Sequence, residues 1–388
     1  MGKHVAILDI GSSKIICLIC STEDDGSFVV RGAGVVGYAG FRYGKILSEK
    51  SFKNAIRDAI TKAENDASRH VKTIIVGVPS PFSKLIVSKG AVELGGKSIS
   101  VRDIDRMVVS SFDFEQPAGF EPIHDTPIEF NIDGTLSYDM PLGVPANELS
   151  GMVSHLYVDS LFKKLIVDVL SSLRITASEF ISVPLAEGRF VVSDDIGSGE
   201  ALVVDVGSMH TDVVLMRNTA VADMRTLDVG GYNFTSDIAY IFDLPIVEAE
   251  KQKRNYVYAL DYTDSVVKIK LPEEVIELNL SAISEVIDAR TYELADMIEE
   301  AIVSMGVRMG EITPIYLTGG GISLMRGCTE FISDYFGVKF IVNMPWMPRL
   351  SSPNYASAFA LMRFAMSENE LGRESTGFWQ KIKDFLTN

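Results

Sequence analysis

The sequence predicts an α/β fold in two related halves that share a cleft. Three observations predict it: a strand–turn–strand unit that occurs twice, a triple-glycine turn after a further strand, and enough apolar content for two cores. The chain has 388 residues, 47% of them hydrophobic. That length supports two or more domains, and that composition argues against disorder. A formal net charge of -16 sets the body against nucleic-acid phosphates and anionic headgroups. No nucleic-acid partner is therefore expected, and any membrane contact must come from a local feature. The opening run Val5-Ala6-Ile7-Leu8 meets Asp9 too soon for a secretory signal. No apolar stretch approaches the roughly 20 residues of a spanning helix, so a cytoplasmic location is expected.

In the first unit, Val5-Ala6-Ile7-Leu8-Asp9-Ile10-Gly11-Ser12-Ser13-Lys14 leads into Ile15-Ile16-Cys17-Leu18-Ile19. In the second, Ala201-Leu202-Val203-Val204-Asp205-Val206-Gly207-Ser208-Met209-His210 leads through Thr211-Asp212 into Val213-Val214-Leu215-Met216. Each reads as a buried strand, an Asp-x-Gly turn and a second buried strand. Such a turn aims consecutive N–H groups into a concavity that suits a phosphate. Its Asp can hold a water of a bound magnesium, which prefers oxygen ligands and keeps several waters. Cys17 and Cys20 have the spacing of a redox or zinc pair. Three residues apart on a strand, however, they point to opposite faces, and two small buried residues are expected.

The third element is Ile315-Tyr316-Leu317-Thr318-Gly319-Gly320-Gly321, followed by Ile322-Ser323-Leu324-Met325-Arg326-Gly327. It reads as a strand, a turn that lets backbone approach a flat ligand such as adenine, and the start of a helix whose dipole favours phosphate. A fourth turn, Asp228-Val229-Gly230-Gly231, precedes a capped helix start near Asn233.

Two phosphate loops and an adenosine-type loop, in this order and approximate spacing, resemble the actin, sugar-kinase and heat-shock chaperone ATPase superfamily. The resemblance implies an actin-like (ribonuclease H-like) two-domain fold. Within it, the chain resembles the bacterial FtsA cell-division family along essentially its whole length. Leu8-Asp9-Ile10-Gly11-Ser12-Ser13-Lys14 is similar to that family's first phosphate loop. Gly230 to Ala239 resembles its Gly-Gly-x-x-x-Thr-x-Asp-Ile-Ala segment, and Ala249-Glu250-Lys251-Gln252-Lys253 its Ala-Glu-x-x-Lys helix. Glu285-Val286-Ile287-Asp288-Ala289-Arg290 resembles a Glu-Val-Ile-x-x-Arg helix beside the nucleotide. The nucleotide-binding set so implied is Asp9, Gly11, Ser12, Ser13, Lys14, Asp205, Gly207, Ser208, Thr211, Gly230, Gly231, Glu250, Lys253, Arg290, Gly319, Gly320 and Gly321. The ligand is ATP, with Mg2+ held through waters on Asp9 and Asp205.

Residues 83–159 begin with an alternating strand and a polar helix start at Ser100-Val101-Arg102-Asp103. They continue through Ile128-Glu129-Phe130-Asn131-Ile132 into a hairpin turn at Asp133-Gly134. This stretch is similar to the small α+β subdomain (1C, SHS2-like) that FtsA and the pilus protein PilM carry in place of an actin subdomain. The expected layout is subdomain 1A over 1–82 and 160–197, 1C over 83–159, 2A over 198–230 and 288–366, and 2B over 231–287. A linker over 367–377 and an amphipathic helix over 378–388 follow.

The second loop departs from the family's usual Asp-x-Gly-Gly-x-Thr. Met209 and His210 bring bulk where backbone should approach phosphate, so the loop is displaced with Thr211 partly substituting, or affinity falls. His210 could pair with a phosphate, but one histidine beside a loop reads first as structural. Chaperone relatives place a Glu before a Pro on the connecting helix. Here Val183 precedes Pro184; Glu187 could reach inward from the next turn, but reads first as an exposed helix carboxylate. ATP binding with slow or absent turnover is expected, and no catalytic residue is assigned.

Ser367 to Gly377 is polar and reads as a linker. In the segment after it, Phe378, Trp379, Ile382, Phe385 and Leu386 share one helical arc roughly 120° wide. Lys381 and Lys383 flank that arc, where their stems can snorkel to headgroups. This is the pattern of an interfacial helix. One copy should bind weakly and a filament of many copies tightly. By resemblance the partners are the FtsZ C-terminal peptide on 231–287, further copies in a filament, anionic lipids at the tail, and later division proteins on 1C. A PilM-like pilus adaptor is the alternative scaffold. A small-molecule kinase comes third, because no base facing an acceptor is evident.

Overall fold

The computed structural model describes residues 4–23, 28–192, 199–272, 274–312, 314–347 and 349–366. The expected linker and amphipathic tail lie outside the described residues. In the first half run β1 (His4–Ile10), β2 (Lys14–Thr22), β3 (Phe28–Gly37), the two-residue strands β4 (Phe41–Arg42) and β5 (Lys45–Ile46), α1 (Glu49–Ala67) and β6 (Thr73–Val78). The insert follows as β7 (Ser83–Ser98), α2 (Val101–Ser110), β8 (Phe120–Ile132), β9 (Thr135–Ser137) and β10 (Pro145–Asp159). The first half closes with α3 (Ser160–Ser172), β11 (Thr176–Ser182) and α4 (Val183–Val191). In the second half run β12 (Glu200–Val206), β13 (Thr211–Arg217), β14 (Ala220–Leu227), α5 (Gly231–Ile241), α6 (Ile246–Asn255), β15 (Val266–Lys270), β16 (Val275–Asn279), α7 (Leu280–Ser304), β17 (Ile315–Thr318), α8 (Cys328–Phe336) and β18 (Phe340–Val342). A last helical stretch spans 356–366.

The two halves repeat one topology. The first sheet has the order β11-β6-β1-β2-β3 and the second β18-β17-β12-β13-β14. In each, a central strand pairs antiparallel with the strand that follows it and parallel with a later one. β1 and β12 are almost continuously apolar and buried, as strands covered on both faces must be. Asp9 pairs with Ile16, and Asp205 with Asp212, so the two Asp-x-Gly turns stand at equivalent ends of the two central strands. Cys17 and Cys20 are both buried and belong to the cores on opposite faces of the first sheet. α1 crosses β3 so closely that a Cβ on Gly34 would overlap the Ala59 carbonyl oxygen, which is why the strand carries glycine there.

α4 and the stretch 356–366 fill one core that joins both sheets, with Ile7 and Leu18 from the first and Val203 and Val214 from the second. The insert forms its own sheet, β7-β10-β8-β9, closed by α2 over a small core around Met107, Leu149 and Val153. Its helix begins where the sequence indicates, with Asp103 accepting from the Ser100 N–H at 3.1 Å. The expected subdomain limit after Ile287 falls inside α7, which runs on as one helix.

Candidate functional site

A cleft of about 440 Å³ lies between the halves at the ends of β1 and β12. That size falls within the range of small-molecule sites. The structure brings to it Asp9, Gly11, Ser12, Ser13 and Lys14 from the first turn, and Asp205, Gly207 and Ser208 from the second. Gly231, Glu250 and Lys253 line it from α5 and α6, and Gly319, Gly320 and Gly321 from the turn after β17. Thr211, Gly230 and Arg290 do not line it. Thr211 is buried and donates its hydroxyl to the Val229 carbonyl at 2.7 Å, so that hydroxyl is committed to the backbone before α5. Gly230 caps α5, its N–H bound to Asn233 Oδ1 at 3.0 Å. Arg290 is held by Asp237 at 2.6 Å.

Backbone hydrogen bonds set the geometry of the loops. Gly11 N–H closes on the Lys14 carbonyl at 3.0 Å, and Gly207 N–H on that of His210 at 3.0 Å. The first N–H groups of α5, on Gly231 and Tyr232, donate to the Gly207 and Ser208 carbonyls at 2.9 and 2.8 Å, and Gly321 N–H to the Val206 carbonyl at 2.7 Å. This knits the second turn, α5 and the glycine turn together. Gly319 has φ +85°, and its Cβ would overlap Asp205. The glycine turn does not enter a helix directly. Residues 322–327 form turns, and α8 begins only at Cys328 after Gly327 in the left-handed region. The N-termini of α4 and α5 stand beside the cleft instead, at Val183 and Gly231.

Contacts cross the cleft at several points. Met209 N–H donates to Ser12 Oγ at 3.1 Å, and Ser80 donates its hydroxyl to Asp212. Lys14 Nζ donates to the Asn354 carbonyl at 2.7 Å and sits over the Tyr355 ring. Ser357 Oγ donates to Asp9 Oδ2 at 2.7 Å. Lys253 is buried, paired with Glu250 at 2.7 Å and donating to the Gly231 carbonyl at 2.9 Å.

Of the two readings of Glu187, the structure takes the inward one and overturns the exposed one. The side chain is 4% exposed and lines the cleft. Ser182 caps α4 and a proline opens it; residue 187 then repeats the direction of residue 183 one turn on. Burial, then Asp205, Asp9 and Asp212, hold its carboxyl well above the usual range. Burial and the neighbouring Asp212 and Asp9 push Asp205 up to about 8, against the pull of Lys14. Burial also raises Asp9 and lowers Lys14. This end of the cleft therefore concentrates negative charge that a cation would relieve. Asp205 Oδ1 is buried without a hydrogen-bond partner, as expected of an atom that serves a ligand's hydration shell. Asp212, Asn354 and Ser357 also line the cleft and went unrecognised in the sequence.

A family model described as "Cell division protein FtsA" matches residues 202–360, and one described as "SHS2 domain inserted in FTSA" matches residues 83–156. The chain is 23% identical to the cell division protein FtsA of Neisseria meningitidis serogroup B, over 98% of this chain and 94% of that one. It is 24% identical to that of Pseudomonas aeruginosa, over 96% of this chain and 91% of that one. Among solved structures, one of a PilM-PilN type IV pilus biogenesis complex matches with a TM-score of 0.66 and 17% identity, covering 93% of this chain and 98% of that one. MreB 5 of Spiroplasma citri bound to AMPPNP matches with a TM-score of 0.55 and 11% identity, covering 96% and 98%. These structural likenesses establish an actin-like fold.

Proposed function

The chain belongs to the FtsA family of cell-division proteins, and from that premise we propose that it acts as an ATP-binding, filament-forming adaptor. In this reading it tethers FtsZ filaments to the inner face of the cytoplasmic membrane at the division site. The observation that carries the reading is the single cleft in which both Asp-x-Gly turns meet the triple-glycine turn.

The residues present fit ATP and Mg2+. At Gly231, Gly319 and Gly321 any Cβ would overlap Gly321, Asp205 or the Val206 and Gly207 carbonyls, so glycine there lets the second turn, α5 and the glycine turn close on one another along the cleft. Lys253 and Glu250 hold each other at the α5 side, ready for ribose hydroxyls. Lys14, now donating to the Asn354 carbonyl, would turn to phosphate oxygens, and Asp9 and Asp205 would hold waters of the metal. Magnesium, when bound, neutralises phosphate charge and offsets the carboxylate excess. Hydrolysis is slow or absent, because the start of α4 offers Val183 and its buried carboxyl, Glu187, is biased towards the protonated form.

Exposed apolar side chains at Tyr240, Ile241 and Val247 on α5 and α6 support docking of the FtsZ C-terminal peptide on 231–287. The insert is left for later division proteins, and filament contacts supply the avidity that one tail lacks. Co-sedimentation with anionic vesicles tests the membrane step. The full chain with MgATP should pellet with vesicles, only modestly weakened by salt. The double variant W379E/F385E should stay in the supernatant while folding and binding ATP normally. Unchanged pelleting of that variant refutes the anchor, and a chain that never pellets favours a PilM-like pilus adaptor on the same scaffold.

A further inference from the structure

The end of the first half that faces away from the cleft gathers cations, on a chain whose net charge is -16. β6 runs parallel to β1, and β11 to β6, so the starts of these strands share the end of the sheet opposite Asp9. The Thr176 N–H joins two of the turns there by donating to the Lys72 carbonyl at 3.0 Å. Arg69 and Lys72 before β6, and Arg174 before β11, are exposed. Among the described residues, their side chains have no hydrogen bond or ion pair. Arg31 on β3 belongs to the same group, since burial, then Arg69 and Arg31, lower His4 at the start of β1. The acids described at this end are already engaged. Glu64 accepts from the Val71 N–H at 2.7 Å, Asp66 from the Ala33 N–H at 2.9 Å and from Arg349 at 2.8 Å, and Glu23 pairs with Arg31.

The chain also leaves the described fold on the side away from the cleft. Ser357 stands at Asp9, near the start of the last helical stretch. Further along it, the Phe364 ring lies 4.7 Å from the Arg189 guanidinium, and Arg189 Nε donates to the Thr219 carbonyl at 2.9 Å. Thr219 is in the turn between β13 and β14, at the end of the second sheet opposite Asp212. The stretch 356–366 thus runs from the cleft towards the far ends of the sheets, and residues 367–388 continue from there. A segment as long as 367–377 can reach up to about 36 Å, enough to let the tail and the cationic end meet one plane.

We propose that this end of the first half is a second, electrostatic contact with an anionic lipid surface, in which Arg69, Lys72 and Arg174 meet headgroup phosphates beside the inserted tail. The inference rests on the membrane-tether reading. Cations held near an anionic surface are attracted to it, while the acidic remainder of the body is repelled. A tail alone would leave the body free to turn. The cationic end sets its orientation, with the nucleotide cleft pointing away from the bilayer.

The test is co-sedimentation of the full chain, wild type and R69Q/K72Q/R174Q, with two kinds of vesicle. One is equal parts phosphatidylglycerol and phosphatidylcholine, the other phosphatidylcholine alone. The variant should bind the anionic vesicles about fivefold more weakly and the neutral ones as the wild type does. A share of that size keeps the wild-type response to salt modest. Because the native cysteines are buried, a polarity-sensitive dye can be placed on K72C, where its emission should change with anionic vesicles. The same dye on K45C, in the β4–β5 hairpin at the cleft end of the sheet, should not respond. Equal binding of both chains to anionic vesicles, an equal loss on both kinds, or a dye response at 45 and not at 72 overturns the inference. So does a variant that changes sedimentation velocity without lipid, since the patch is then a contact between copies of the chain. If the triple variant does not fold, the two dye positions decide. A wild type that binds neither vesicle overturns the tether reading, and the inference with it.

Discussion

Replacing Asp205 with Asn should stabilise the ligand-free protein at alkaline pH while abolishing its response to magnesium nucleotide. Burial and the neighbouring carboxylates push Asp205 up to about 8, well above the ordinary carboxylate range. With the folded value above the unfolded one, the folded state keeps the proton longer. Stability therefore falls as pH rises from the unfolded value to the folded one. Between pH 5.5 and 8 that span is about 2.5 units, or at most ~3 kcal/mol at about 1.36 kcal/mol per unit. An unfolding entropy of about 2.1 cal/mol/K per residue makes ~3 kcal/mol equal to about 4 °C for a chain of this size. Thermal melts at the two pH values, with and without MgATP, read this directly. The wild type should lose up to about 4 °C on going to pH 8, and D205N should lose less. MgATP should raise the wild-type Tm, as any ligand of the folded state must, and leave that of D205N unmoved. A D205N variant that melts lower than the wild type at pH 8, or shows the same pH slope, refutes the argument that the carboxyl is held against its charge.

Two further outcomes follow from side chains whose positions differ in consequence. Arg290 pairs with Asp237 and Glu293 outside the cleft, so R290A should leave ATP affinity within about twofold and cost at most about 1 kcal/mol of stability. A tenfold loss by calorimetry would place it at the nucleotide after all. Burial pushes Cys20 up to about 12 and raises Cys17 and Cys328 likewise, so a thiol reagent such as Ellman's should label none of them in the folded state. Labelling before the unfolding transition would show that these cores open.

What was legible in the sequence was what short stretches of chain encode. The runs before Asp9 and Asp205 declare buried strands by composition alone, and the Asp-x-Gly turns follow from the residues that make them. Glu187 was legible as a carboxylate able to turn inward, but its residue type ranked exposure first. Yet Val183 and Glu187 are four apart in a helix that Ser182 and Pro184 start together, and that spacing was available. Asn354 and Ser357 carried no such signal. They reach Lys14 and Asp9 across 340 and 348 residues of chain, a return that only the shared core dictates. The segment after Gly321 looks like a helix start from its residues. It stays in turns because Arg326 forms a bridge with Val257 and Gly327 takes a left-handed conformation.

The attachment of the insert has a mechanical consequence. Its first and last strands are paired to the very root, Ser83 opposite Val158, and no loop intervenes before the next helix. Asp159 ends β10 and caps α3, accepting from the Phe162 N–H at 2.7 Å. A strand of 15 residues is about 50 Å of nearly inextensible backbone. Stiffly rooted in this way, the insert is a lever and not a pendant. A load applied at its tip arrives as torque on α3 and, through the strand that follows, on the start of α4 at the wall of the cleft. The insert and the wall of the cleft are thus joined through paired strands and a capped helix, with no slack segment between them to absorb a displacement.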